Sequence, residues 1–190
     1  MNYYDKNAQE FFDDTVSADM TSHYCEFLKL LPEDACILDA GCGSGRDAKY
    51  FKDLGYDITA IDASEEMCKL ASELTGSTVL NIKFQEIEFE DKFDGIWASA
   101  SLLHVSSDEI SDVLKRLKKS LKENGVFYAS FKYGDFEGER NGRYFNDLDE
   151  VTSRQLFESE NFEVIKTWIT HDSRKGRESE RWVNILVKKD

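Results

Sequence analysis

The stretch Cys36-Ile37-Leu38-Asp39-Ala40-Gly41-Cys42-Gly43-Ser44-Gly45-Arg46-Asp47 decides how the chain is read. Ile37 and Leu38 give the apolar run of a buried strand, and Gly41, Gly43 and Gly45 follow at alternate positions. Glycines this close let the backbone turn sharply and let a ligand approach the main chain with no Cβ in the way. A strand, a glycine turn and a helix start together leave free backbone N–H groups beside the carboxyl end of a strand. In open parallel sheets that is where ligands bind.

The spacing separates ligand classes. A dinucleotide site reads G-x-G-x-x-G, with the pyrophosphate on the helix N-terminus. Here the pattern is G-x-G-x-G, preceded by Asp39. A carboxylate at that point is badly placed for a pyrophosphate and well placed for an ammonium group, which argues against a nicotinamide oxidoreductase. A ligand with an amino-acid end and a ribose, S-adenosylmethionine, fits better. Asp62 closes the next apolar run, Ile58-Thr59-Ala60-Ile61, about 20 residues past the first glycine, where a ribose hydroxyl partner is expected.

Leu38-Asp39-Ala40-Gly41-Cys42-Gly43-Ser44-Gly45 resembles the first motif of class I S-adenosylmethionine-dependent methyltransferases. Asp62 is similar to their acidic residue after the second strand, and Phe93-Asp94-Gly95-Ile96-Trp97-Ala98 to their fourth-strand motif. The resemblance is strong over 35–132 and looser elsewhere; the general layout is similar to small type 11/25 and tellurite-resistance-like members and to wobble-uridine methyltransferases. It implies a Rossmann-like α/β fold: a seven-stranded, mostly parallel sheet closed by a C-terminal antiparallel hairpin, with helices on both faces. Residues 1–190 then form one methyltransferase domain, with an N-terminal helical lid (1–34), a cofactor-binding core (35–132) and a substrate-side loop and hairpin (133–190).

The resemblance also assigns cofactor roles. Asp39 faces the amino group of the methionine moiety, which Gly41, Cys42, Gly43 and Gly45 line, with Ala98 and Ser99 beneath it. Asp62 takes the ribose hydroxyls. Ala63 and Met67 flank the adenine, and Gln85, Glu86 and Ile87 border it. Tyr4 and Phe11 belong to the lid; packing on the sheet edge is the alternative for both, as core burial is for Met67, and Phe12 reads as core. Arg46 either contacts the carboxylate of the cofactor or pairs with Asp47.

The 190 residues, 41% hydrophobic and 33% charged, have the composition of a soluble globular protein. The net charge of −14 speaks against a nucleic-acid substrate, since binders of phosphate backbones carry a basic face. No apolar run approaches the roughly 20 residues of a membrane span. The start, Met1-Asn2-Tyr3-Tyr4-Asp5, lacks the basic and apolar regions of a signal peptide. Cys25, Cys36, Cys42 and Cys68 form no C-x-x-C pair and read as reduced thiols of a cytoplasmic protein. Three scattered histidines offer no metal-ligand spacing.

Along the chain, helices are expected over 7–14 and 18–31, the second stopped by Pro32. A strand over 36–40, a helix over 46–54 ended by Gly55, and a strand over 56–62 follow. Ser64 caps the next helix, with Glu65 and Glu66 in its first turn. A strand is expected over 79–84, and then 85–92 is too short for a crossover helix, so that helix should be missing. Strand 93–98, a helix over 108–121 with a Ser106–Glu109 capping box, and strand 126–131 complete the core. Residues 132–149 form a long loop, of a length usually functional or disordered, and its aromatics argue against disorder. A helix from Thr152 to 159 and two strands, 162–170 and 181–188, joined by a mobile basic turn over 171–177, end the chain.

Methyl transfer from a sulfonium is an in-line displacement at carbon, so no catalytic triad is required; orientation and a dry pocket suffice. A base is needed only for a protonated acceptor. His104, after the fourth strand, is the candidate, with anchoring of the following helix as its alternative. Lys132, Arg140, Arg143 and Arg181 are substrate candidates because cations gather there in an acidic chain and arginine suits carboxylate or phosphate, with ion pairing to nearby acids as the alternative. Tyr144, with Trp97 and Trp182, is a candidate apolar wall on the substrate side, with core packing as the alternative. The leading expectation is transfer to a small, anionic molecule by a monomer or homodimer. Methylation of tRNA or protein, and non-catalytic cofactor binding, are the competing readings.

Overall fold

The computed structural model describes residues 3–174 and 176–189. Strands β1 (Cys36–Ala40), β2 (Asp57–Asp62), β3 (Leu80–Asn81), β4 (Phe93–Ala98), β5 (Leu121–Lys132), β8 (Phe162–His171) and β9 (Arg181–Lys189) form one sheet in the order β3-β2-β1-β4-β5-β9-β8. The pairs from β3 to β5 are parallel, and β9 is antiparallel to both β5 and β8. The order turns back at β1/β4, which fixes the ligand crevice of such a sheet at the carboxyl ends of those strands.

Alternation along the strands sorts the core into two faces. Leu38, Ala40, Ile96, Phe127 and Ala129 pack on one face with Leu114 and Leu117 of α6 (Ser107–Ser120) and Phe157 of α7 (Glu150–Ser159). Ile37, Trp97 and Tyr128 pack on the other with Tyr24 and Phe27 of α3 (Thr21–Leu28) and Phe51 of α4 (Arg46–Asp53). Trp97 and Tyr128 stack there with ring centroids 3.9 Å apart. Each such fully buried aromatic contributes about 1.5–3 kcal/mol of hydrophobic stabilisation.

Several boundaries differ from the sequence expectation. The second N-terminal helix is shorter because Leu30 and Leu31 tighten into i→i+3 bonds with Phe27 and Leu28. Tyr3–Lys6 (α1) and Ala8–Thr15 (α2) precede it, and Phe12 is only half-buried. β3 keeps two residues because the chain bends into a 3-10 turn, Phe84–Glu86, where the Glu86 carboxylate accepts from the Lys83 N–H at 3.1 Å. No α-helix separates β3 from β4. Ser106 makes no side-chain cap; the Ser107 N–H donates instead to Glu137 Oε1 at 2.8 Å. α7 starts two residues before the expected Thr152, at Glu150, and is capped by Asp149, which accepts from the Thr152 N–H at 2.8 Å. Residues 132–149 hold a hairpin, β6 (Glu137–Arg140) and β7 (Arg143–Asn146). Of the expected basic turn, Lys175 lies outside the described residues. No helix among the described residues is long and apolar enough to cross a membrane.

Candidate active site

The glycine turn leaves β1 in a left-handed conformation, φ +78° at Gly41. The Gly41 and Cys42 N–H groups both donate to the Ile61 carbonyl at 2.9 Å, which ties the turn to the end of β2. A Cβ on Gly41 would stand 2.5 Å from the Ser101 Cβ, and Ser101 Oγ is itself fixed by donating to the Ala40 carbonyl at 2.7 Å. The Asp62 carboxylate accepts from the Gly43 N–H and the Ser64 N–H, both at 2.9 Å. Burial nonetheless raises its pKa, against the lowering effect of those bonds. Ser64 in turn caps α5 (Glu65–Thr75), its Oγ accepting from the Met67 N–H at 3.2 Å and donating to Asp5 Oδ1 of α1 at 2.7 Å.

Two buried carboxylates lie behind the turn with opposite fates. Asp47 is held below the usual carboxylate range despite its burial. Arg46 grips it at 2.5 and 2.9 Å, and Tyr24 OH and Trp97 Nε1 donate to it at 2.5 and 2.7 Å. Asp39 is 1% exposed, and its Oδ2 has no hydrogen-bond partner. Burial, then the charge of Asp47, pushes its pKa well up. Arg46 therefore pairs with Asp47 and also borders the cavity.

That cavity, about 390 Å³, opens over the carboxyl ends of β1, β2 and β4. Gly41, Cys42, Gly43, Asp62, Ala63 and Met67 line one side, with Gln85 and Ser99 beyond. Tyr4, Phe11, His104 and Arg143 line the roof, where α1 and α2, the Leu102–His104 turn and β7 converge. His104 Nδ1 donates to the Tyr144 carbonyl at 2.6 Å, so Nε2 accepts from Tyr4 OH at 2.6 Å. Burial lowers the His104 pKa to about 4, with Arg143 adding to the effect. Arg143 lies over the rings of Tyr3 and Phe145, 4.8 and 5.0 Å from their centroids.

The remaining expected residues stand outside the lining, Asp39 among them, buried behind the glycine turn. Gly45 packs under α5, where a Cβ would meet the Ala71 Cβ at 2.9 Å. Ala98 and Ile87 are core residues, and Glu86 is exposed at the 3-10 turn. Lys132 pairs with Glu180 and lies over Trp182, Arg181 lies over Tyr133 at 4.1 Å, and Tyr144 OH donates to Glu137 at 2.5 Å. Lys132 and Tyr144 are thus paired with acids and Arg181 stacks on a ring, all three outside the cavity lining, and of the cations expected at the substrate Arg143 alone lines it.

A methyltransferase-domain family matches residues 38–129. An uncharacterized methyltransferase of Staphylococcus carnosus is 33% identical over 165 residues, 83% of this chain and 77% of its own length. The chain belongs to the S-adenosylmethionine-dependent methyltransferases. A probable S-adenosyl-L-methionine-dependent methyltransferase, TehB, of Haemophilus influenzae is 26% identical over 94 residues, 47% of this chain and only 33% of that protein. Among solved structures, Burkholderia thailandensis 1,6-didemethyltoxoflavin-N1-methyltransferase, with 1,6-didemethyltoxoflavin and S-adenosylhomocysteine bound, superposes with a TM-score of 0.78. It is 22% identical, over 98% of this chain and 83% of that one.

The cofactor of this methyltransferase is S-adenosylmethionine, and the residues present fit it. The orphaned Asp39 Oδ2 is a buried polar atom lacking a partner, Gly41 and Gly43 line the cavity with bare backbone, and Asp62 retains lone pairs for hydroxyls. Trp182, expected as an apolar wall, does line the far half of the cavity; the sequence reading missed the other contributors there, His23, Tyr128, Ser130, Thr170 and Asn184. One signal was available. Asn184 interrupts the apolar run Val183–Val187, and it is buried, accepting from Tyr128 OH at 2.7 Å and donating to Thr170 Oγ1 at 3.0 Å.

Proposed function

We propose that this methyltransferase acts on a small anionic molecule by direct in-line transfer, under a lid formed by α1 and α2. One observation carries the reading. Arg46 is matched by Asp47, and Arg174 by Asp172 and Asp14, whereas Arg143 borders the cavity with no carboxylate partner among the described residues and with its Nε buried and unbonded. The one side-chain hydrogen bond of Arg143 among the described residues runs from Nη1 to Tyr4 OH at 3.4 Å. A guanidinium without a carboxylate in an acidic chain suits an anion, and its planar fork matches a carboxylate or phosphate.

When bound, S-adenosylmethionine supplies the activated methyl group. Asp39 and the glycine turn hold its amino-acid end, Asp62 its ribose, and Ala63, Met67 and Gln85 border its base. Tyr4 and Phe11 exclude water from above. The 1,6-didemethyltoxoflavin bound to the Burkholderia neighbour is compatible with a small-molecule acceptor. The test is release of S-adenosylhomocysteine across paired carboxylates, phosphate esters and their neutral analogues. Turnover should be confined to the acids, and Arg143→Ala should lower kcat/KM for them by roughly 10- to 100-fold, the loss of about 1.5–3 kcal/mol from a charged hydrogen bond. Equal turnover of the neutral analogues, or an unchanged kcat/KM in the variant, would contradict the reading.

A further inference from the structure

His23 lies on α3 and lines the cavity, yet it is only 8% exposed. Its ring packs against Tyr128 of β5 and Trp168 of β8, each with its centroid 6.2 Å away and the two 6.0 Å from one another. Nδ1 stands 3.2 Å from Ser22 Oγ. Nε2 has no hydrogen-bond partner among the described residues and is not among the polar atoms sealed from contact. Burial lowers the pKa of the ring, so it is neutral at pH 7; Asp47 and Asp19 oppose that shift, and Arg46 adds to it. Tyr128 and Trp168 bring no further charge from β5 or β8.

The other histidines are differently placed. Both nitrogens of His104 are occupied, by the Tyr144 carbonyl and Tyr4 OH. His171 is exposed at the end of β8, with Nδ1 donating to the Glu178 carbonyl at 2.8 Å. Only His23 combines burial in the cavity wall with an open ring nitrogen.

We propose that Nε2 of His23 is the proton acceptor for the molecule methylated, and that this molecule is protic, carrying O–H or N–H at the receiving atom. The inference rests on the methyl transfer proposed above. The Ser22 hydroxyl can accept from Nδ1–H, and we assign His23 that tautomer, in which Nε2 carries the lone pair. The acceptor's X–H bond breaks, its electron pair stays on X as the nucleophile, and an N–H bond forms on His23. The resulting imidazolium later gives that proton to water. A histidine of lowered pKa remains in its accepting form throughout neutral pH, as a base must. A thioether, a tertiary amine or a carboxylate has no proton to lose and would leave Nε2 without a role.

The test treats the full-length protein, saturated with S-adenosylhomocysteine, with diethyl pyrocarbonate at pH 7, and maps the modified peptides. This reagent acylates open, unprotonated imidazole nitrogens. Modification of His23, with His104 spared, is the expected result. In parallel, a panel of phenolic acids, hydroxy acids, secondary amino acids, thioethers and plain carboxylates is screened for turnover. Protic members should be the acceptors. His23→Gln should lower their kcat by about 100-fold or more and abolish the acid limb of the pH profile, with the affinity for S-adenosylhomocysteine unchanged.

An unmodified His23 overturns the proposal even where no panel member is turned over. So does turnover confined to aprotic acceptors, or a variant in which cofactor affinity falls together with kcat. Failure of the wild-type protein to bind S-adenosylhomocysteine would instead contradict the cofactor site, and calorimetry separates the two outcomes.

Discussion

His104 carries its proton on Nδ1 because the Tyr144 carbonyl beside that nitrogen accepts and cannot donate. Nε2 is then committed to Tyr4 OH, and the ring is an anchor of the roof. A neutral histidine buried in this way couples stability to pH. Its folded pKa, about 4, lies below the unfolded value near 6.5, so the unfolded chain binds the proton first. The stability it supports is complete above pH 6.5 and falls as the pH drops toward 4. Between pH 7 and pH 5 the loss should be about 2 kcal/mol. Urea unfolding at the two pH values, on the wild type and on His104→Gln, isolates this contribution: the difference between the proteins should shrink by that amount at pH 5. A difference independent of pH would show that the imidazole is not buried in its neutral form.

At the scale of elements, the β6–β7 hairpin does the most to complete the site. It presents Arg143 and the Tyr144 carbonyl to the roof, and Glu137 from its other strand to the start of α6. Asn141 and Gly142 turn it with φ of 53° and 74°, the pair of left-handed residues that a two-residue hairpin requires. Gly142→Val places a β-branched side chain in that region and should cost about 1–3 kcal/mol. That corresponds to a fall in Tm of roughly 2–4 °C per kcal/mol in a chain of this size. Turnover of acidic acceptors should fall further than affinity for S-adenosylhomocysteine. Equal losses in both would mean that the hairpin does not serve the acceptor side.

The Asn-Gly pair was a readable hairpin signal in a stretch that reads more readily as a long loop. The cofactor half of the site was legible for a local reason: a strand, a glycine turn and the acid closing the next strand lie within residues 36–62. Lys132, Arg143 and Arg181 could not be told apart in the same way. Lys132 is drawn to Glu180, and Arg181 to Tyr133, by the antiparallel register of β5 and β9, which no local pattern announces. His23, Ser130 and Asn184 meet at the cavity from α3, β5 and β9, far apart in the chain, and so only the folded sheet brings them together.

At the scale of the whole molecule, a chain of net charge −14 keeps a guanidinium without a carboxylate partner among the described residues at its cavity roof, where an acidic chain offers acids in excess. The reversal of strand order at β1/β4 sets the crevice, the glycine turn and Asp62 form its cofactor side, and α1 to α3 with the two hairpins enclose the rest. Every functional assignment depends on the cofactor occupying the crevice beside Asp62. Calorimetric titration of the wild type and of Asp62→Ala with S-adenosylhomocysteine tests this most directly. The account predicts binding in the micromolar range, about −8 kcal/mol, for the wild type and a loss of tenfold or more, about 1.4 kcal/mol, in the variant. Equal affinity in the two proteins, or none in the wild type, would contradict it.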